Sequence, residues 1–334
     1  MSLVVIKYMA NLIEREKKGR SYFYLEKNIK IMKGKWKRVS AYIGKEKPSK
    51  KQLKDKEKEL DKKLKEALDS LYDERLKKYS FSVLSKKELS EAERIKDAFL
   101  ARFEQLTEKK KEEFRKKQVL NFVYTTLRTE GVDVEFSNVE TAYKILKKNE
   151  SEYTFDKKVI ISSAMITGIN FLPKIKFNEE DVLRLHGIVM SSFEGKSPGQ
   201  IRDDQRIIAK FDALTFQSKE ISYRPPGPDK VASEFTGFFR LLENHKNVHP
   251  LELAALVHLK LYLIHPFKDG NKRMCRLLFN KVLQDADYPI LNISKDTSEY
   301  FKELIKSVES GDEKFFVKFC YNTFLKNIKH KRLK

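Results

Sequence analysis

IHPFKDGNKRMCR, residues 264–276, places one histidine, one acid, a Gly-Asn step and a group of cations within one short stretch. A buried helix has no use for such a set. Proline loses nothing at the first position of a helix, so His249-Pro250 opens one; its apolar residues include Leu251, Ala254, Ala255, Leu256, Leu259 and Leu263. Pro266 keeps the residue before it out of the right-handed helical region, so this helix is expected to end near Ile264 with His265 at the corner. The chain then turns on Gly270, and a new helix starts near Asn271. A helix start after glycine presents unpaired backbone N–H groups and the positive end of the dipole, which together favour an anion. Lys272, Arg273 and Arg276 add charge there. The two arginines, three apart, project from one side of the helix and could straddle a polyphosphate. Asp269, just upstream, offers the hard carboxylate that Mg²⁺ uses beside phosphate oxygens. His265 supplies a group able to accept a proton near neutral pH. These residue types suit transfer of a phosphate-containing group to a hydroxyl.

The bulk composition is that of a globular chain. Its 334 residues suffice for one large or two ordinary domains, and 40% hydrophobic with 11% aromatic residues argues against disorder. No run of about 18 uncharged apolar residues occurs, and the opening MSLVVIKYMANLIEREKK lacks a small-residue cleavage site. No membrane partner is therefore expected, and a cytoplasmic location is. Cys275 and Cys320 lack zinc-site spacing and are expected to be reduced thiols. Net charge is +21, and residues 1–50 hold 14 Lys/Arg against 4 Asp/Glu, an excess of 10. A polyanion such as nucleic acid is one partner that this excess could serve. A Lys-rich solvated surface is the reading preferred from charge alone.

Along the chain, SYFYLEKNIKI (21–31) and WKRVSAYIG (36–44) flank a short Gly-containing turn and predict a hairpin, with LVVIKY (3–8) as a third strand. After Pro48 the period changes: Leu60, Leu64, Leu68 and Leu71 mark a charged amphipathic helix. Ser90-Glu91-Ala92-Glu93 fits a capping box for the next helix. Helical periods follow over 112–128, 138–149, 157–169 and 178–193. The interval 201–227, with SYRPPGP, reads as a short strand pair and a proline-fixed loop. Helices resume at 229–245, 250–264, 271–285, 295–308 and 312–328. His186 and His258 lie on apolar faces and are expected to be core histidines.

The stretch at 264–276 resembles the Fic family signature, H-x-F-x-(D/E)-G-N-G-R-x-x-R, in His265, Phe267, Asp269, Gly270, Asn271, Arg273 and Arg276. PGQIRDDQRII (198–208), SYRPPGPDKV (222–231), HPLELAALVHLKLYLIHPF (249–267) and Asn280 extend the likeness over roughly residues 120–325. The resemblance implies a mainly α protein: a Fic-type helical domain with a small β-hairpin flap over 111–334, preceded by a basic β-containing and helical module over 1–110. It implies a protein adenylyltransferase that moves AMP from ATP to a protein Ser, Thr or Tyr hydroxyl. His265 would then be the general base and Asp269 the Mg²⁺ ligand. The backbone around Gly270, Asn271 and Lys272 would form the anion nest, with Arg273 and Arg276 on the outer phosphates. Pro266 and Phe267 would hold the loop, and the hairpin near 206–223 would dock a target segment by strand addition. One position departs. Lys272 stands where the family usually has a second glycine, as in the Doc-like branch, which acts as a protein kinase.

Upstream, Thr126, Glu130 and Gly131 in YTTLRTEGV resemble the inhibitory motif (S/T)-x-x-x-E-(G/N) of one Fic class. The local reading is a helix end with Gly131 beyond it; the resemblance implies that Glu130 pairs with Arg276 and restrains ATP use. In some relatives the same glutamate supports removal of AMP by water. The alternatives to AMP transfer are thus a Doc-like kinase, a de-AMPylase and, in another class, a nucleic-acid-binding regulator. The module over 1–110 is left with target selection or homodimer formation as its role, and the target protein is not identified.

Overall fold

The computed structural model describes residues 10–32, 35–148, 156–193, 195–211 and 218–329. The chain divides into two compact units, Met1–Lys78 with Leu89–Ala98, and Tyr79–Glu88 with Phe99–Lys334.

In the first unit, β1 (Asn11–Lys17), β2 (Arg20–Met32) and β3 (Lys35–Gly44) form an antiparallel sheet in the order β1-β2-β3. The predicted hairpin is β2-β3. The strand expected at 3–8 lies outside the described residues, and the third strand observed is NLIEREK, whose mixed charge concealed it. Helix α1 (Lys50–Leu76) follows Pro48 and carries a capping box between Ser49 and Gln52. Its Leu60 and Leu64 pack with Leu25, Val39 and Ala41 of the sheet. Helix α2 (Lys86–Glu104) begins earlier than expected: Ser85 and Glu88 form the capping box, and Ser90 lies inside the helix. Both Ser-x-x-Glu sites fit the pattern. The earlier one wins because it brings Leu89 and Ala92 into the core as helical residues.

The second unit is helical. Helices α3 (Glu108–Thr129), α4 (Phe136–Lys148), α5 (Lys157–Phe171) and α6 (Glu179–Met190) precede the strands β4 (Ile208–Phe211) and β5 (Ser218–Tyr223). These two strands pair antiparallel, as the interval 201–227 had suggested. Helices α7 (Pro228–Asn244), α8 (Pro250–Ile264), α9 (Asn271–Asp285), α10 (Thr297–Ser310) and α11 (Lys314–Lys329) complete it. Helix α8 packs against α7, α9 and α11 and is apolar almost all round. Buried Glu252 on α8 accepts the backbone N–H of Val83 at 3.1 Å and the hydroxyl of Ser82 at 3.1 Å, so residues 79–88 are held by this unit.

The two Ser-x-x-Glu sites make a clean comparison. Ser85→Ala should cost about 1 kcal/mol of stability in urea unfolding. Ser90→Ala should change it by only a few tenths of a kcal/mol, since alanine is favoured inside a helix.

Candidate active site

The loop between α8 and α9 is built around two left-handed residues. His265 caps α8 with φ 49°, and Gly270 starts α9 with φ 78°. Only glycine suits the second position: a Cβ on Gly270 would lie 2.6 Å from Met190 Sδ. No side chain caps α9, so the N–H groups of its first turn have no side-chain acceptor at the N-cap.

Four side chains brace this loop. Phe267 is fully buried. Asn271, whose backbone was expected in an anion nest, turns its side-chain amide onto Phe267, donating to the Phe267 carbonyl at 2.7 Å and accepting the Phe267 N–H at 3.0 Å. The other two, His186 and Arg202, were not assigned to the site from the sequence. The His186 ring stacks on Phe267 at 3.8 Å, donates from Nε2 to the Asp269 carbonyl at 3.0 Å and accepts the Gly199 N–H on Nδ1 at 2.9 Å. With both nitrogens committed, it is a neutral tautomer, and burial pushes its pKa down to about 4. The expectation of a core histidine holds, but its bonds place it directly behind the loop. Arg202 donates from Nε to the His265 carbonyl at 2.6 Å and from its other nitrogens to the carbonyls of Asp204 and Pro226. PGQIRDDQRII contained this arginine; only the fold shows what it holds.

The His265 ring donates from Nδ1 to the Tyr262 carbonyl at 3.4 Å, which leaves the Nε2 lone pair available. Burial pushes its pKa down to about 4, with the Tyr262 bond opposing and nearby cations adding to the shift. Asp269 Oδ1 accepts from Gly270 N–H at 2.5 Å and Arg273 Nη2 at 3.2 Å, while Lys196 Nζ lies 3.9 Å from Oδ2.

Arg273 and Arg276 are 2% and 0% exposed in their side chains. Arg276 Nη2 donates to Glu130 Oε1 at 2.6 Å and to the Thr126 carbonyl at 3.3 Å. Lys272 Nζ lies 3.8 Å from Glu130 Oε2 and 5.0 Å from the Phe301 ring centre. Glu130 itself ends α3. The Gly131 N–H bonds the Arg128 carbonyl and the Val132 N–H bonds the Leu127 carbonyl, with Gly131 at φ 76°. This is a Schellman closure, so the helix end and the projecting glutamate arise from one local motif. Burial works against the charged forms of both Glu130 and Arg276, yet their mutual attraction prevails: the carboxyl is held below its usual range and the guanidinium above its own. For Arg273 burial prevails and the shift is downward. Nε and Nη1 of both arginines are buried without a hydrogen-bond partner among the described residues.

Residues 176–283 match the model of the Fic/DOC family. This segment is a Fic domain. The chain is similar to proteins called protein adenylyltransferase Fic, 34% identical over 152 residues in Drosophila erecta and 29% over 216 residues in Drosophila ananassae. These matches cover 45% and 61% of the chain but only 28% and 40% of the fly proteins. Among solved structures, a Fic family protein from Desulfovibrio desulfuricans G20 superposes with a TM-score of 0.60 at 17% identity, covering 75% of each chain. A Fic domain containing signaling protein from Bacteroides thetaiotaomicron VPI-5482 gives 0.57 at 21% identity, covering 70% of this chain and 95% of its own. At those identities the likeness concerns the fold.

The neutral histidines of the Fic domain link stability to pH. His186 and His265 titrate near 4 when folded and near 6.5 when unfolded, so between those values the unfolded chain binds more protons. Thermal stability should be level above about pH 6.5 and fall as the pH drops from there towards 4. His265→Asn should make that fall shallower by one proton's worth in melts recorded across the range.

Proposed function

We propose that the chain is a protein adenylyltransferase that moves AMP from ATP to a protein hydroxyl and is held in check by Glu130. The observation carrying this reading is the pair of buried guanidinium groups with unpaired N–H donors on α9, beside its uncapped N-terminus. A buried donor left unsatisfied costs about 1–3 kcal/mol, more where charged. A polyphosphate would supply the missing acceptors and add counter-charge to Arg273, whose one carboxylate contact is Asp269 at 3.2 Å.

In this reading the target hydroxyl oxygen attacks the α-phosphorus, the bond to the bridging oxygen breaks and pyrophosphate leaves. The hydroxyl proton passes to His265 Nε2, which is neutral at pH 7 and so able to take it. Arg273 and Arg276 would hold the departing phosphates, and the backbone at Gly270, Asn271 and Lys272 the nearer ones. Asp269 fits Mg²⁺ as a single carboxylate beside phosphate: its side chain is 33% exposed, and Oδ2 has only a distant lysine. When bound there the ion would offset phosphate charge. The β4-β5 hairpin has free outer edges among the described residues, which suits docking of an extended target segment.

Glu130 occupies Arg276 Nη2, a donor that an outer phosphate would otherwise meet, and also faces Lys272 at 3.8 Å. Intact-mass spectrometry after incubation with ATP and Mg²⁺ tests the reading. Glu130→Gly should gain adducts of about 329 mass units, wild type far fewer and His265→Ala none. Adducts of about 80 would instead indicate phosphorylation, the outcome that Lys272 would favour by analogy with the Doc-like motif. The same Glu130→Gly change strips a buried cation of its partner and should lower stability by about 3–5 kcal/mol without nucleotide, with ATP restoring part of the loss in thermal melts.

A further inference from the structure

The sheet of the first unit has a second face that the helical core does not use. Residues directly opposite in an antiparallel ladder share a face. The register therefore sets Arg15 beside Tyr22, Lys17 beside Arg20, Tyr24 beside Tyr42, and Asn28 beside Arg38 on one side. Leu25, Val39 and Ala41 occupy the other side, against α1. On the open side the Tyr24 and Tyr42 rings are 5.3 Å apart and Tyr22 and Tyr42 6.3 Å apart, both pairs tilted. The Arg15 guanidinium lies 4.8 Å from the Tyr24 ring centre. Tyr42 is 43% exposed, and the Arg38 side chain 62%. Glu26 lies between Arg15 and Arg38, 3.7 Å from the latter, and steadies both heads. The face thus sets Arg15, Lys17, Arg20 and Arg38 against one carboxylate.

We propose that this tyrosine and arginine face binds single-stranded nucleic acid. Flat aromatic faces interleaved with cations are the two elements that such a ligand needs, stacking for its bases and charge for its phosphates. An acidic peptide would use the cations but leave the ring faces without partners. The excess of ten positive charges in residues 1–50 raises the local concentration of any polyanion, and the ring cluster selects among polyanions the one that carries π-faces. The proposal stands apart from the reading of the Fic domain, since none of these residues belongs to that site.

Fluorescence anisotropy on the full chain, with labelled oligo-dT and oligo-rU of about 12 nucleotides, provides the test. Both should bind, their relative affinity separating DNA from RNA as the preferred form. Tyr42→Ala should weaken binding about tenfold and Tyr42→Phe should retain it, while Arg38→Gln should reduce the salt slope by about 0.7. Circular dichroism and melting of the variants should be unchanged, as should auto-modification. Inorganic polyphosphate binding as tightly as the oligonucleotides, or Tyr42→Ala binding like wild type, would overturn the proposal, as would tighter binding of duplex than of either single strand.

Discussion

A guanidinium sealed inside a helical bundle must find negative charge, and Arg276 finds it in Glu130. Desolvating two ions costs several kcal/mol each, recovered only where geometry and secondary hydrogen bonds are good. Here the 2.6 Å bond, the Thr126 carbonyl and nearby Lys272 supply that compensation. Arg273, one helical step away, is less well served: it has a 3.2 Å bond to Asp269 and a ring contact with Phe193 at 4.3 Å, and burial still lowers its pKa. Arg276 thus has the closer ion-pair partner and Arg273 the more distant one. Under the proposed reading, that difference leaves Arg273 the readier to meet a phosphate while Glu130 holds Arg276.

Such a pair of cations is useful only if the loop preceding them keeps its shape. His265 and Gly270 are both left-handed, and a non-glycine residue in that region is unfavourable unless its surroundings hold it. Arg202 grips the His265 carbonyl from one side, His186 grips the Asp269 carbonyl from another, and Asn271 closes on Phe267 from within. Each of these three bonds backbone, which leaves the His265 ring and the Asp269 Oδ2 atom out of the bracing. Asn280 does similar work one turn past Arg276, bonding both the Arg276 carbonyl and the Leu291 backbone.

Much of this was legible in residues 264–276 and 124–132. Pro266 dictated the end of α8, Gly270 the turn, and the cation spacing the face of α9. Glu130 beside Gly131 announced a helix end, and the pairing with Arg276 is present at the distance of a strong ion pair. Local sequence was less reliable where two sites satisfied one rule. Ser85 and Ser90 both head a Ser-x-x-Glu pattern, and tertiary burial of Leu89 chose between them. The strand Asn11–Lys17 has no hydrophobic alternation of its own and exists because β2 supplies a partner edge.

The sequence by itself determined the helix periods, the corner at His265, the glycine start of α9 and the grouping of a histidine, an acid and cations around that start, since each follows from steric or electrostatic rules acting within a few residues. Only the tertiary structure decided that Asn271 braces the loop, that His186 and Arg202 lock it from behind, and that three tyrosines share a face with four cations. The bonds of His186 and Arg202 join groups 13 to 83 positions apart, the tyrosine face depends on the register of three strands, and the Asn271 amide, only four positions from Phe267, takes its direction from the buried loop around it.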